Sequence, residues 1–356
     1  MTSAYSESTF VYHGLQTDTS SHLAETDQVK SLIKAFLENV KSNPDSPFIK
    51  DKELETSVWA YFKSLRLGEK TEKLVLRTLK LAVTLTHQAY TALPFKVKVL
   101  CASQFLYMFL ADDAAEEFME YLQSFSQKLA SLLIIPIQAH TDASSFVLNK
   151  THHHPLLNAF DSHLRSLADY YGPYCHSAII KSLFDYINGN IIEHQMEQSN
   201  FEFPSESRLM PMFLRTKVGG AEILIHLLWP KSLFPEEEYV MQYFPAIQEL
   251  VLFTDFTNDI LSYYKEFVLD NEKGNFVANF ASTHHMQQLD VLRQLSSYTP
   301  LVINSVYTMF RDRPNLLLST ENFVRGWIML CTAHRRYHLV ELFADEQFLP
   351  PYDEDS

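Results

Sequence analysis

Residues 249–269 read ELVLFTDFTNDILSYYKEFVL. Apolar residues recur at helical spacing, no proline interrupts them, and the early part, LVLFTDF, is apolar nearly all round, so the stretch predicts a buried helix. Its second half nonetheless carries Asn258, Asp259, Ser262, Lys265 and Glu266. Burying such groups without partners costs on the order of several kcal/mol apiece. Protein or a ligand must satisfy them.

The rest of the chain shares the helical reading. Val29, Leu32, Ile33, Phe36, Leu37 and Val40 follow helical spacing behind Thr26 or Asp27 as the expected cap. Further helical patterns span 52–66, 69–90, 95–111, 113–136, 155–171, 174–198, 211–228, 236–268, 278–311 and 319–344. Breakers such as SNPDSPF, HHHP, YGP and WPKSLFPEE separate them. Strand signals are weak, SLLIIPIQ being the only short β-branched run, and no repeat of fixed period occurs. The expectation is an all-α fold of about ten helices in one domain, residues 26–346, between a polar tail (1–25) and an acidic one (347–356).

Composition narrows the function classes. The 356 residues are 46% hydrophobic, with 26 Phe and 18 Tyr, which supports a large core. Only 8 Gly occur, and neither G-x-G-x-x-G nor G-x-x-x-x-G-K is present, so no nucleotide-binding phosphate loop is expected. A formal net charge of −14 disfavours nucleic acid as a partner. Cys101, Cys175 and Cys331 are scattered, as suits a reducing compartment. The Ser/Thr-rich start lacks a signal peptide's basic and apolar regions, and no run is long enough to span a bilayer. A soluble, cytoplasmic protein is the expectation.

A second anomaly lies upstream. PFKVKVLCASQFLYMFLADDAAEEF is a long apolar pattern closing on Asp112, Asp113, Glu116 and Glu117. Asp112 aligns with Glu116 and Asp113 with Glu117, and acids at a helix C-terminus oppose its dipole, so the group is unfavourable unless cations compensate. A solvated acidic helix end is the bland alternative. In the later motif, Asn258, Ser262 and Glu266 stand at i, i+4 and i+8, spread over about 12 Å of helix axis. Side chains lean toward the helix N-terminus, so three oxygens can converge on one hard cation such as Mg²⁺. One carboxylate with two neutral oxygens is a weak cage that phosphate oxygens would complete. Lys265 beside it suits a metal–diphosphate site better than a metal alone. A polar stripe on an amphipathic helix would explain one face, but not the apolar upstream half.

With D-D-x-x-E closing one helix and N-D-x-x-S-x-x-K-E on a later one, the chain resembles the class I terpene cyclases. With FLR upstream and RRYHL near the C-terminus, it looks most like the fungal trichodiene-synthase-like sesquiterpene cyclases. The resemblance covers about residues 90–345. It implies a helical bundle around a central active-site cavity and three Mg²⁺ ions, with Mn²⁺ as a substitute. Asp112 would be the principal ligand of two ions, Asp113 and Glu116 supporting acids, and Asn258, Ser262 and Glu266 the ligands of the third. Glu116 stands where the family often has aspartate. Arg215, in MFLRTKVGG, matches the diphosphate-sensing arginine, and Gly219 the break beside the substrate. Lys265, Arg336 and Tyr337 would donate to the diphosphate.

The implied reaction is ionisation of farnesyl diphosphate and cyclisation of the cation to a sesquiterpene hydrocarbon or alcohol. Arg forks onto phosphate oxygens and a phenol gives one directed bond. Phe105, Met108 and Phe109, on the face of Asp112, and Trp327 would line an apolar wall that shields the cation. Ordinary core packing is the alternative for each. Asp255 and Asp259 fall off the metal-facing stripe and read as helix-solvating or supporting residues. A homodimer is the family's expectation. A trans-prenyltransferase and a non-catalytic helical binding relative are the rival readings; the first would need a second Asp-rich motif where Asn258, Ser262 and Glu266 stand.

Overall fold

The computed structural model describes residues 22–42, 50–113, 122, 124–126, 155–270, 272 and 274–344, without the side chains of 22–24, 112 and 113. Among these residues every regular element is helical. In chain order they are α1 (His22–Asn39), α2 (Lys52–Ser64), α3 (Glu69–Ala89), α4 (Phe95–Asp113), α5 (Pro155–Ser166), α6 (Pro173–Ser199) and α7 (Met210–Val218). There follow α8 (Ala221–His226), α9 (Glu236–Tyr243), α10 (Ile247–Tyr263), α11 (Phe276–His284), α12 (Gln288–Met309), α13 (Pro314–Ala333) and α14 (Leu339–Leu342). A π-helical segment, Tyr264–Leu269, extends α10, and a 3-10 turn, Arg335–Tyr337, follows α13.

The principal contacts run between α10 and α12, between α3 and α4, and between α3 and α13. α10 therefore sits in the body of the bundle, and Leu250, Phe253, Phe256, Ile260, Leu261 and Tyr263 on it are buried. Gly326 lets α13 approach α3 closely: a Cβ there would lie 2.2 Å from the Gln88 carbonyl.

Several long sequence patterns are divided. The 211–228 pattern breaks at Gly219–Gly220, where Gly220 takes φ +63°, a left-handed conformation that glycine adopts without steric cost. The 236–268 pattern is interrupted by the 3-10 turn Phe244–Ala246, because Pro245 cannot donate within a continuous helix. The 278–311 pattern turns at His285, φ +54°. α1 begins at His22, ahead of the Thr26/Asp27 cap expected from sequence. The 113–136 pattern falls almost wholly outside the described residues.

Phenols fix the short helix α8. Tyr90 Oη donates to the Leu224 carbonyl at 2.8 Å and Tyr171 Oη to the Leu227 carbonyl at 3.1 Å, meeting acceptors that a helix end leaves open. Trp229 stacks on Tyr243 at 4.2 Å. The break at Gly219–Gly220 is thus anchored on its downstream side. Outside, Lys217 pairs with Asp185, and Lys181 bridges Asp185 and Glu222, tying both flanks of the break to α6.

Candidate active site

The break brings Arg215, in the last turn of α7, against the C-terminal half of α10. Arg215 Nε donates to both carboxylate oxygens of Asp259, at 2.9 and 3.0 Å. Its Nη2 donates to the Asp255 carbonyl at 3.1 Å and to Asn258 Oδ1 at 3.3 Å. Nη1 lies 3.3 Å from Asp255 Oδ1. Asn258 in turn donates from Nδ2 to the Tyr337 hydroxyl at 3.1 Å, which draws the turn after α13 onto the same place. One amide therefore touches two of the expected diphosphate donors.

Asp255 and Asp259 are both buried, which corrects the helix-solvating reading. Their orientation is set by Arg215, about forty residues upstream, and spacing along α10 could not reveal it. Burial pushes both carboxyls above the usual carboxylate range, and Arg215 offsets this only in part. The same two carboxylates push the arginine upward and hold it charged. Burial also raises the Tyr337 phenol, keeping it a donor.

Asn258, Ser262 and Glu266 do fall on one stretch, but a straight α-helix would not keep them aligned. Each i, i+4 step drifts by about 40°, so i+8 would lie about 80° away. A π segment begins at Tyr264, and within it the Asp270 N–H bonds back five residues to the Lys265 carbonyl at 2.9 Å; each residue there turns less than in an α-helix, which reduces the drift at Glu266. Lys265 lies in the same segment, 3.8 Å from Asp270.

The donor set suits a hard cation. Arg215 pairs directly with Asp255 and Asp259, and Glu266 adds to the field that raises it. The Ser262 hydroxyl and Asp255 Oδ2 are buried with no hydrogen-bond partner. Unsatisfied buried oxygens of this kind are what an oxygen-ligated Mg²⁺ would complement. Among the described residues no group of three or more His, Cys, Asp or Glu side chains is placed to hold a metal ion.

The other expected residues are placed as follows. Asp112 and Asp113 close α4, and Glu116 lies outside the described residues. Met108, one turn before Asp112, meets the break: a Cβ on Gly220 would fall 2.7 Å from its methyl group. Its carbonyl accepts from the Tyr186 hydroxyl at 3.2 Å. Phe109 is half-buried, whereas Phe105 is wholly buried against Tyr90 and is a core residue. Trp327 donates to the Thr254 carbonyl at 3.1 Å, one turn before Asn258. Arg336 and Arg335 are exposed, on the turn that buries Tyr337. Two small cavities of about 10 Å³ each, one beside Tyr90 and Leu228 and one beside Tyr107 and Phe160, lie away from the Asn258 cluster.

Fold and motif order define a class I terpene synthase. Residues 63–349 match the family described as trichodiene synthase (TRI5), and the chain belongs to that family. It is 27% identical over 270 residues to an alpha-cuprenene synthase of Coprinopsis cinerea, covering 76% of this chain and 75% of that one. It is 28% identical over 191 residues to the trichodiene synthase of Gibberella zeae, covering 53% of this chain and half the length of that relative. Among solved structures it is similar to a linalool/nerolidol synthase from Streptomyces clavuligerus in complex with 2-fluorogeranyl diphosphate. There the TM-score is 0.52 at 13% identity, over 77% of this chain and 96% of that one. It is also similar to a hedycaryol synthase in complex with nerolidol, with a TM-score of 0.53 at 12% identity over 79% and 95%. No described helix is long and apolar enough to cross a membrane.

Proposed function

We propose that the protein is a sesquiterpene synthase that ionises farnesyl diphosphate and cyclises the resulting cation, releasing diphosphate. The observation that carries this reading is the buried cluster on α10. Arg215, Asn258 and Tyr337 are joined by hydrogen bonds beside a buried Ser262 hydroxyl that no protein group satisfies. Asn258, Ser262 and Glu266 would hold one Mg²⁺ and Asp112, with Asp113 and Glu116 in support, the others; Mn²⁺ has the same oxygen preference. Bound there, the cations supply Lewis-acid stabilisation of the charge developing on the leaving group.

The chain's own groups do the remaining work. Arg215, Lys265, Arg336 and Tyr337 would donate to the oxygens of the highly charged diphosphate leaving group. Tyr337 comes as a neutral donor because burial raises its phenol. Met108 lies against the break at Gly220, and with the neighbouring, half-buried Phe109 it would supply apolar surface that shields an allylic cation from water. A trans-prenyltransferase would need a second Asp-rich motif in place of the Asn–Ser–Glu set, and this chain has none there.

The test is headspace gas chromatography–mass spectrometry of the purified protein with farnesyl diphosphate, with and without Mg²⁺. A Mg²⁺-dependent C15 hydrocarbon or alcohol is expected. Absence of any terpene from C10, C15 or C20 diphosphates would overturn the proposal.

A further inference from the structure

Asp255 lies outside the N-D-x-x-S-x-x-K-E motif, one turn ahead of Asn258, and is 2% exposed. Nothing in that motif calls for a carboxylate there, and an apolar helix would bury any aliphatic side chain at lower cost. Its surroundings explain it. A Cβ on Gly219 would fall 2.1 Å from Asp255 Oδ1 and 2.5 Å from Arg215 Nη1. The carboxylate therefore occupies the space that a side chain at 219 would need. From there it meets the Nη1 edge of the guanidinium at 3.3 Å, while its own main-chain carbonyl accepts from Nη2. Asp259 holds the Nε edge. The guanidinium is thus gripped along two edges of its fork.

We propose that Asp255 is a positioning residue for Arg215, and that Gly219 is glycine because the Asp255 carboxylate must enter the helix break to reach the guanidinium. The proposal rests on the reading of Arg215 as a diphosphate-binding group, and it adds a residue that the motif does not contain. It also separates geometry from charge. Removing a carboxylate makes the neighbourhood more positive, so charge alone would tighten diphosphate binding. Loss of positioning weakens it. A planar fork that can turn gives up the alignment on which paired bonds to phosphate oxygens depend.

The experiment compares wild type with Asp255→Asn, which keeps the shape, Gly219→Ala, and the double variant Gly219→Ala/Asp255→Ala. Affinity for inorganic diphosphate in the presence of Mg²⁺ is measured by calorimetry, kcat and KM with farnesyl diphosphate by product formation, and stability by thermal melting. Asp255→Asn is expected to weaken diphosphate binding by about tenfold or more, the scale of a charge-assisted contact, and to lower kcat more than it raises KM, while melting within a few degrees of wild type. Gly219→Ala is expected to lower the melting temperature, and the double variant to regain it without regaining diphosphate affinity, because contacting residues do not contribute additively. Diphosphate binding by Asp255→Asn as tight as wild type or tighter would overturn this proposal alone, as would simple additivity of stability between positions 219 and 255. Failure of the wild-type protein to bind diphosphate at all would overturn both this proposal and the function it rests on.

Discussion

Two sets of buried polar groups in this protein solve opposite problems. Around α8, Tyr90 and Tyr171 each hand their hydroxyl proton to a main-chain carbonyl, Tyr171 also meets the Cys101 thiol at 3.3 Å, and Tyr243 meets Cys175 at 3.3 Å. Burial pushes both thiols up to about 12, so they stay neutral and unreactive. Every hydroxyl in that belt closes on the protein. On α10 the sum does not close: the Ser262 hydroxyl and Asp255 Oδ2 have no partner. Polar groups that the chain satisfies hold the fold. On α10 two that it leaves over, the Ser262 hydroxyl and Asp255 Oδ2, stand beside Arg215 and Asn258, where a ligand would complete them.

The contrast is sharpest at Arg215. Replacing it with leucine leaves Asp255 and Asp259 buried without their cation, and breaking such a pair costs about 3–5 kcal/mol. Chemical denaturation of Arg215→Leu should show that loss together with loss of terpene formation; a stable, active variant would dissolve the distinction. In the phenol belt, Tyr90→Phe leaves the buried Leu224 carbonyl without its donor. It should cost about 1–3 kcal/mol, with activity falling only as folded protein falls.

A pH-dependent case lies beside Tyr107. His163 is buried with Nε2 lacking a partner, and burial takes its imidazole from 6.5 down to about 3. The folded chain refuses the proton until about pH 3, while the unfolded chain accepts it below about 6.5. The stability is therefore whole above pH 6.5 and lost as pH falls toward 3. A difference of about 2 kcal/mol should have accrued by pH 5. His163→Phe should flatten that part of the melting-temperature profile, and an unchanged slope would place the acid sensitivity elsewhere. The smallest stability effect is expected at Ser262→Ala. Deleting a hydroxyl that has no partner should move stability by no more than about 0.5 kcal/mol in either direction while cutting terpene formation severely. A large loss of stability there would mean that the hydroxyl serves the fold.

Much of this was legible in the residues, and the misses have specific causes. The all-α class follows from apolar periodicity, and spacing proposes the Asn258–Ser262–Glu266 set. The π turn was not legible, because nothing in YYKEFVL announces it. Helix lengths were overrun where a local conformation wins over periodicity, at Gly220, Pro245 and His285. Spacing leaves Asp255 and Asp259 as either helix-solvating or supporting, because their partner Arg215 lies on another helix and an amphipathic count sees only its own. Resemblance to a family supplied the roles of Arg215, Gly219 and Tyr337. The structure brings Arg215 and Tyr337 to a common amide, which a linear motif does not state.

The most direct test of the central claim is the Mg²⁺ dependence of terpene formation in Glu266→Gln against wild type. If the surplus polar groups of α10 and its π extension await a cation, the variant should need at least about 10–100 times more Mg²⁺ for half-maximal rate, with little change in stability. A variant that forms product at wild-type rate with an unchanged Mg²⁺ requirement would contradict that claim, and would show that Glu266 and its neighbours serve the helix rather than a bound ion.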